Sequence, residues 1–114
     1  MSTNAIIANT DGNGNYVSTY VHWDGYIEGV GKTLLNNYNE MSQAYDICRL
    51  GYISALMPTK EETKKEAINN EPPIHTYSND QFEKYLDTFC SIEWVYIYDE
   101  SEEKWLVKHI KDSM

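Results

Sequence analysis

Residues 21–35 read Val21-His22-Trp23-Asp24-Gly25-Tyr26-Ile27-Glu28-Gly29-Val30-Gly31-Lys32-Thr33-Leu34-Leu35. The stretch passes from a strand-like run through glycines into a helix-like run, so its reading decides the fold. On its N-terminal side, Tyr16 to Trp23 alternates with period two. Val17, Thr19, Val21 and Trp23 fall on one face, and Tyr16, Ser18, Tyr20 and His22 on the other, the pattern of a strand. Ala5 to Ala8 is a short apolar run, and Asp11-Gly12-Asn13-Gly14-Asn15 is a dense turn signal, so the two runs form a β-hairpin. Trp23 is expected in the core, where its truncation to alanine would cost about 3–5 kcal/mol. Beyond the loop Gly25 to Gly31, Lys32 to Tyr38 is helical, with Leu34, Leu35 and Tyr38 facing inward.

Ser42 is the expected N-cap of a second helix through Leu50, stopped by Gly51. Thr59-x-x-Glu62 is a capping box that opens a very polar helix to about Asn70. That segment has little to bury, and residues 58–73 are read as a mobile insertion in a single domain of residues 1–114. Glu71-Pro72-Pro73 ends it. Ser78-x-x-Gln81 caps a further helix with Phe82, Tyr85, Leu86 and Phe89 on one stripe. Ile92 to Tyr98 and Trp105 to Ile110 are strands joined by the acidic turn Asp99 to Lys104. The expected architecture is α+β: an antiparallel sheet from N- and C-terminal hairpins, with helices packed on one face.

A chain of 114 residues fits one domain and buries roughly two-thirds of its unfolded surface. Its formal net charge of -9, with Arg49 as the one arginine, disfavours direct contact with nucleic acid or with anionic membranes. The natural electrostatic partner is a basic protein surface; the plain alternative is that acidity maintains solubility. Ten tyrosines and three tryptophans suit a core or an interface equally well. Cys48 and Cys90 are expected to be buried free thiols. Met1 to Thr10 does not read as a secretory signal, and no run approaches the ~18 apolar residues that span a bilayer. The expected setting is the cytoplasm of a bacterial host cell.

The chain resembles a family of small proteins found in phages, prophages, plasmids and bacterial genomes. The resemblance rests on Met1-Ser2-Thr3, on Tyr20-Val21-His22-Trp23-Asp24-Gly25-Tyr26, on Gly29-Val30-Gly31, Leu34-Leu35 and Tyr38, on Leu50-Gly51, Ile53-Ser54 and Leu56, and on Tyr96, Tyr98 and Trp105. It departs at Asn4, Ile27 and Tyr52, where the family pattern has Arg, Pro and Asp. A polar site built on that Arg and Asp would be lost or changed here. The resemblance implies a mobile-element setting and carries no activity with it.

Gly31-Lys32-Thr33 mimics the end of a phosphate-binding loop, but the spacing requires glycine at position 26, which is tyrosine. His22 and Asp24 stand two apart, as a general base or half a metal site would on one strand face, yet no nucleophile and no third ligand accompanies them. The alternative is that they fix the turn at Gly25. No catalytic residue, cofactor or metal is therefore expected. The expected binding residues are Tyr20, His22, Asp24 and Tyr26 in the loop, with Asp99, Glu100, Glu102 and Glu103 in the acidic hairpin. Together they suggest a phage accessory protein that inhibits a host defence protein, in the manner of an anti-CRISPR or anti-restriction protein. Its partner would be a nucleic-acid enzyme with a basic surface. A small-ligand or nucleotide-signal binder using the HWDGY loop is the alternative.

Overall fold

A computed structural model describes residues 3–89 and 92–110. The chain has the expected α+β class. Strands β1 (Asn4–Thr10) and β2 (Tyr16–Val21) form the first hairpin. Its turn is held by Asp11, whose carboxylate accepts from the Asn13 N–H at 2.7 Å and the Asn15 side-chain amide at 2.7 Å. Gly12 and Gly14 take φ of 87° and 93° there, the left-handed region that favours glycine. A π-helical turn (Ile27–Gly31) leads into α1 (Lys32–Asn37), then α2 (Met41–Ile47), β3 (Tyr52–Ile53) and α3 (Lys60–Lys64). The chain continues through β4 (Ile74–Thr76), α4 (Asn79–Asp87), β5 (Ile92–Asp99) and β6 (Lys104–His109).

The layout of sheet and layers differs from the sequence expectation in two ways. The sheet is mixed rather than antiparallel: its order is β3-β2-β1-β5-β6, and β1 pairs with β5 in parallel, while β4 also pairs with β2. The helices cover both faces. Ala5, Ile7, Val17 and Val21 pack with Val30, Leu34, Tyr38 and Ile47 on one side. Ile6, Ala8 and Val95 pack with Phe82 and Leu86 of α4 on the other. Central β1 is consequently buried at all seven positions. A strand sandwiched between two layers reads as an apolar run, which is why Ala5 to Ala8 shows no alternation.

Local chemistry explains the helix boundaries. Ser78 and Thr59 are N-caps as expected, accepting from the N–H groups of Gln81 and Glu62, but the return half of each box is not made: Gln81 Oε1 accepts from Tyr77 N–H and Glu62 from the Thr59 hydroxyl. The second helix is instead capped by Glu40, whose N–H donates to the Gln43 side chain at 3.2 Å, and Ser42 lies inside it. Leu34 in α1 and Tyr38 at its C-cap face the core as expected, but Leu35 is 58% exposed. The helix after Thr59 is shorter than expected because the chain turns to pair Ala67 with Ile53. Nor is this segment without anything to bury: Thr63 is inaccessible, and its hydroxyl accepts from the Met57 N–H at 3.0 Å. Cys48 is a buried free thiol, and burial pushes it far above its ordinary range. Cys90 lies outside the described residues.

Candidate functional site

The strand directions place the expected binding residues in two groups. β1 runs from the HWDGY corner to the acidic turn, and β5 runs beside it in the same direction. Seven residues at ~3.3 Å each separate the two ends of β1 by about 20 Å.

At the first end, β2 stops at Val21 and the backbone is fastened to its neighbours. The N–H groups of His22 and Trp23 donate to the carbonyls of Ile53 (3.1 Å) and Ser54 (2.8 Å). Gly25 N–H donates to Thr3 O at 2.8 Å, and Tyr96 Oη donates to Gly25 O at 2.6 Å. Asp24 takes a φ of 59°, and its carbonyl accepts from Val30 N–H at 2.9 Å. The loop is thus closed on itself through main-chain groups.

The His22 and Asp24 side chains do not pair with each other. His22 Nδ1 lies 3.0 Å from Tyr20 Oη, whereas Asp24 accepts from Tyr26 Oη at 3.3 Å. The parity argument fails because the strand ends before Asp24. For the same reason Trp23 is not a core residue: it is 47% exposed and meets the His22 ring edge-on. The Asp24 carboxylate, by its charge and hydrogen bond, raises the Tyr26 phenol above its ordinary value, while burial raises Tyr20.

Gly31-Lys32-Thr33 sits where the π-helical turn runs into α1. Gly29 and Gly31 donate their N–H groups to Tyr26 O, so those donors are already spent. They do not wrap a phosphate.

At the other end, the tip of the β5–β6 hairpin is rigidly built. Asp99 accepts from the Ser101 N–H (2.9 Å) and hydroxyl (2.6 Å), and Glu100 N–H donates to Thr10 O at 3.0 Å. Glu102 and Glu103 are exposed. The β1–β2 turn lies alongside, with Gly12 against Ser101 and Asp99, and so adds Asp11 to the four expected acids. Among the described residues, none of these five carboxylates lies within ion-pair distance of a lysine or arginine; the ion pairs there are Lys60–Asp46 and Lys108–Glu83. Hydrogen bonds, first that from the Asn15 side chain, hold the Asp11 carboxyl below its ordinary pKa. Burial, then the charges of Glu103 and Glu100, raises Tyr98.

A cleft of about 260 Å³ opens at this end, and Asp11, Glu100, Tyr16, Tyr45, Tyr77 and Arg49 are among its lining residues. Tyr45 and Tyr77 are 44% and 70% exposed. The Arg49 guanidinium lies 3.2 Å from the centre of the Tyr45 ring. The sequence offered no signal for this grouping, since Asp11, Tyr45 and Tyr77 join Glu100 only through the sheet topology.

Among the described residues there is no cluster of three or more histidine, cysteine, aspartate or glutamate side chains able to hold a metal. No described helix is long and apolar enough to cross a membrane. No family model, curated protein or solved structure matches the chain.

Proposed function

We propose that the chain is a non-enzymatic accessory protein of a phage or other mobile element that binds and inhibits a host defence protein. The contact is the acidic, tyrosine-rich end of the sheet, and the partner is a nucleic-acid enzyme with a basic surface. One observation carries this reading: exposed Tyr45 and Tyr77 line the same cleft as Asp11 and Glu100, beside the tip bearing Asp99, Glu102 and Glu103. Tyrosine faces flanked by carboxylates suit the lysine and arginine side chains of a phosphate-binding groove. Arg49 over Tyr45 already makes such a contact within the chain. Resemblance to phage and prophage proteins supplies the setting, and the net charge of -9 supplies the steering.

The small-ligand alternative at the HWDGY loop has less behind it. The main-chain groups of that corner are committed to Thr3, Ile53, Ser54 and Tyr96, and its polar side chains pair locally.

The test is phage plating on bacteria that carry a restriction or CRISPR system, with and without the expressed chain. Plating should rise on at least one defended strain and stay unchanged on undefended cells. No rise on any defended strain would contradict the proposal.

A further inference from the structure

The sheet ends on one side in the two short strands β3 and β4, both paired to β2, and on the other in β6. On one side, residues 66–68 cover β3: Ser54 N–H donates to Glu66 O at 2.8 Å, and Ile68 N–H to Tyr52 O at 2.8 Å. On the other side lies β6, with no such cover among the described residues. Ile110 N–H donates to Glu93 O at 2.7 Å, and hydrogen-bonded pairs in an antiparallel ladder recur at every second residue. Lys104, Leu106 and Lys108 therefore direct their main-chain groups to β5. Trp105, Val107 and His109 direct theirs outward, and no described residue bonds them.

We propose that this edge pairs with β6 of a second copy of the chain, antiparallel, about a twofold axis through Val107. Register is the first argument. Outward-facing residues of two antiparallel strands must meet one another, and one alignment engages all three. It sets Val107 against Val107 of the second copy, and Trp105 against His109 of the second copy. Charge is the second argument. β6 bears Lys104 and Lys108 and no acid, in a chain of net charge -9, so it is a place where two copies meet without opposing carboxylates. In the same alignment Leu106 faces Lys108 of the second copy and Lys104 faces Ile110, so no two lysines are directly opposite.

Side-chain continuity is the third argument. His109 stacks on Trp94 at 4.2 Å, and Trp105 meets Tyr98 edge-on at 5.4 Å. Pairing Trp105 with His109 of the second copy would extend this aromatic row across the junction. An apolar groove of about 230 Å³, lined by Leu34, Leu35, Tyr96, Trp105 and Val107 among others, opens beside the same edge. With Val107 53% exposed, the second copy would cover apolar surface as well as main-chain groups.

The experiment is sedimentation velocity of the full chain from micromolar to millimolar concentration; it needs no host partner and so stands apart from the inhibitor proposal. The wild type should sediment as a dimer. Val107→Pro removes an outward N–H and no bond to β5, so it should keep the circular dichroism of the parent and sediment as a monomer. Val107→Lys places like charges on the axis and should also give a monomer, which keeps the test intact if the proline variant misfolds. Val107→Thr should remain dimeric. A wild type that is monomeric throughout, including one that takes up only a foreign peptide strand, would overturn the proposal. So would a dimer that survives the lysine substitution.

Discussion

Tyr96 and Gly25 stand 71 positions apart, and the tyrosine hydroxyl donates to the glycine carbonyl at 2.6 Å in a buried site. This bond ties the second half of the chain to the HWDGY corner. Tyr96→Phe should cost about 1–3 kcal/mol, because it leaves a buried carbonyl without its donor while keeping the ring. Urea unfolding would measure it. An unchanged midpoint would show that the bond contributes nothing.

The same corner should resist added volume at Gly25. A Cβ there would stand 2.8 Å from the Cβ of Ala5 and 2.8 Å from Thr3 O. Gly25→Ala should therefore destabilise the fold by about 1–3 kcal/mol, as overpacked sites do. A thermal melt equal to that of the parent would refute the close approach.

Trp23 should matter far less than its sequence setting suggests. Half-exposed and fixed by its main chain, it should lose about 1 kcal/mol or less on truncation to alanine. Ile7→Ala, in the fully buried core, should lose about 2–5 kcal/mol. Parallel urea titrations compare the two. A larger loss at Trp23 than at Ile7 would reverse this assignment.

Alkaline pH should weaken the fold in a defined direction. Burial raises the phenols of Tyr96, Tyr85, Tyr38 and Tyr20 above the ordinary value of 10.0. Above that pH the unfolded chain has released protons that the folded chain retains, so stability falls as pH rises. The contribution is present in full below pH 10.0 and is lost as pH climbs through the folded values. Tyrosinate absorbance, followed together with circular dichroism, should show these phenols ionising in step with unfolding. Complete ionisation of all ten tyrosines while the fold persists would contradict it.

Some of this was legible in the residues. Tyr16 to Val21 alternates and is a strand, and the caps at Thr59 and Ser78 form as their spacing implies. Inference of burial from alternation failed at Trp23 because β2 ends at Val21. β3 and β4 are two and three residues long and depend on pairing with β2, so no periodicity could reveal them. The cap at Glu40 carries no sequence signal, because glutamate is not among the usual N-cap residues. The acidic hairpin was visible as sequence, whereas its union with Asp11 required the parallel pairing of β1 with β5, a contact between distant segments.

The acidic tip beside the Tyr45–Tyr77 cleft is the part of the proposed interface most open to substitution. Asp99, Glu100, Glu102 and Glu103 replaced together by Ser should keep the sheet while loosening the turn, since Glu102 and Glu103 are exposed and the Asp99 carboxylate bonds only to Ser101 within the tip. The decisive measurement is the affinity of wild type and this fourfold variant for the host protein captured by the wild-type chain, at low and at moderate salt. Wild-type binding should weaken with salt chiefly through a slower on-rate, and the variant should bind more weakly with a flatter salt dependence. Equal affinity and equal salt dependence for the two chains would remove the tip from the interface and contradict the account.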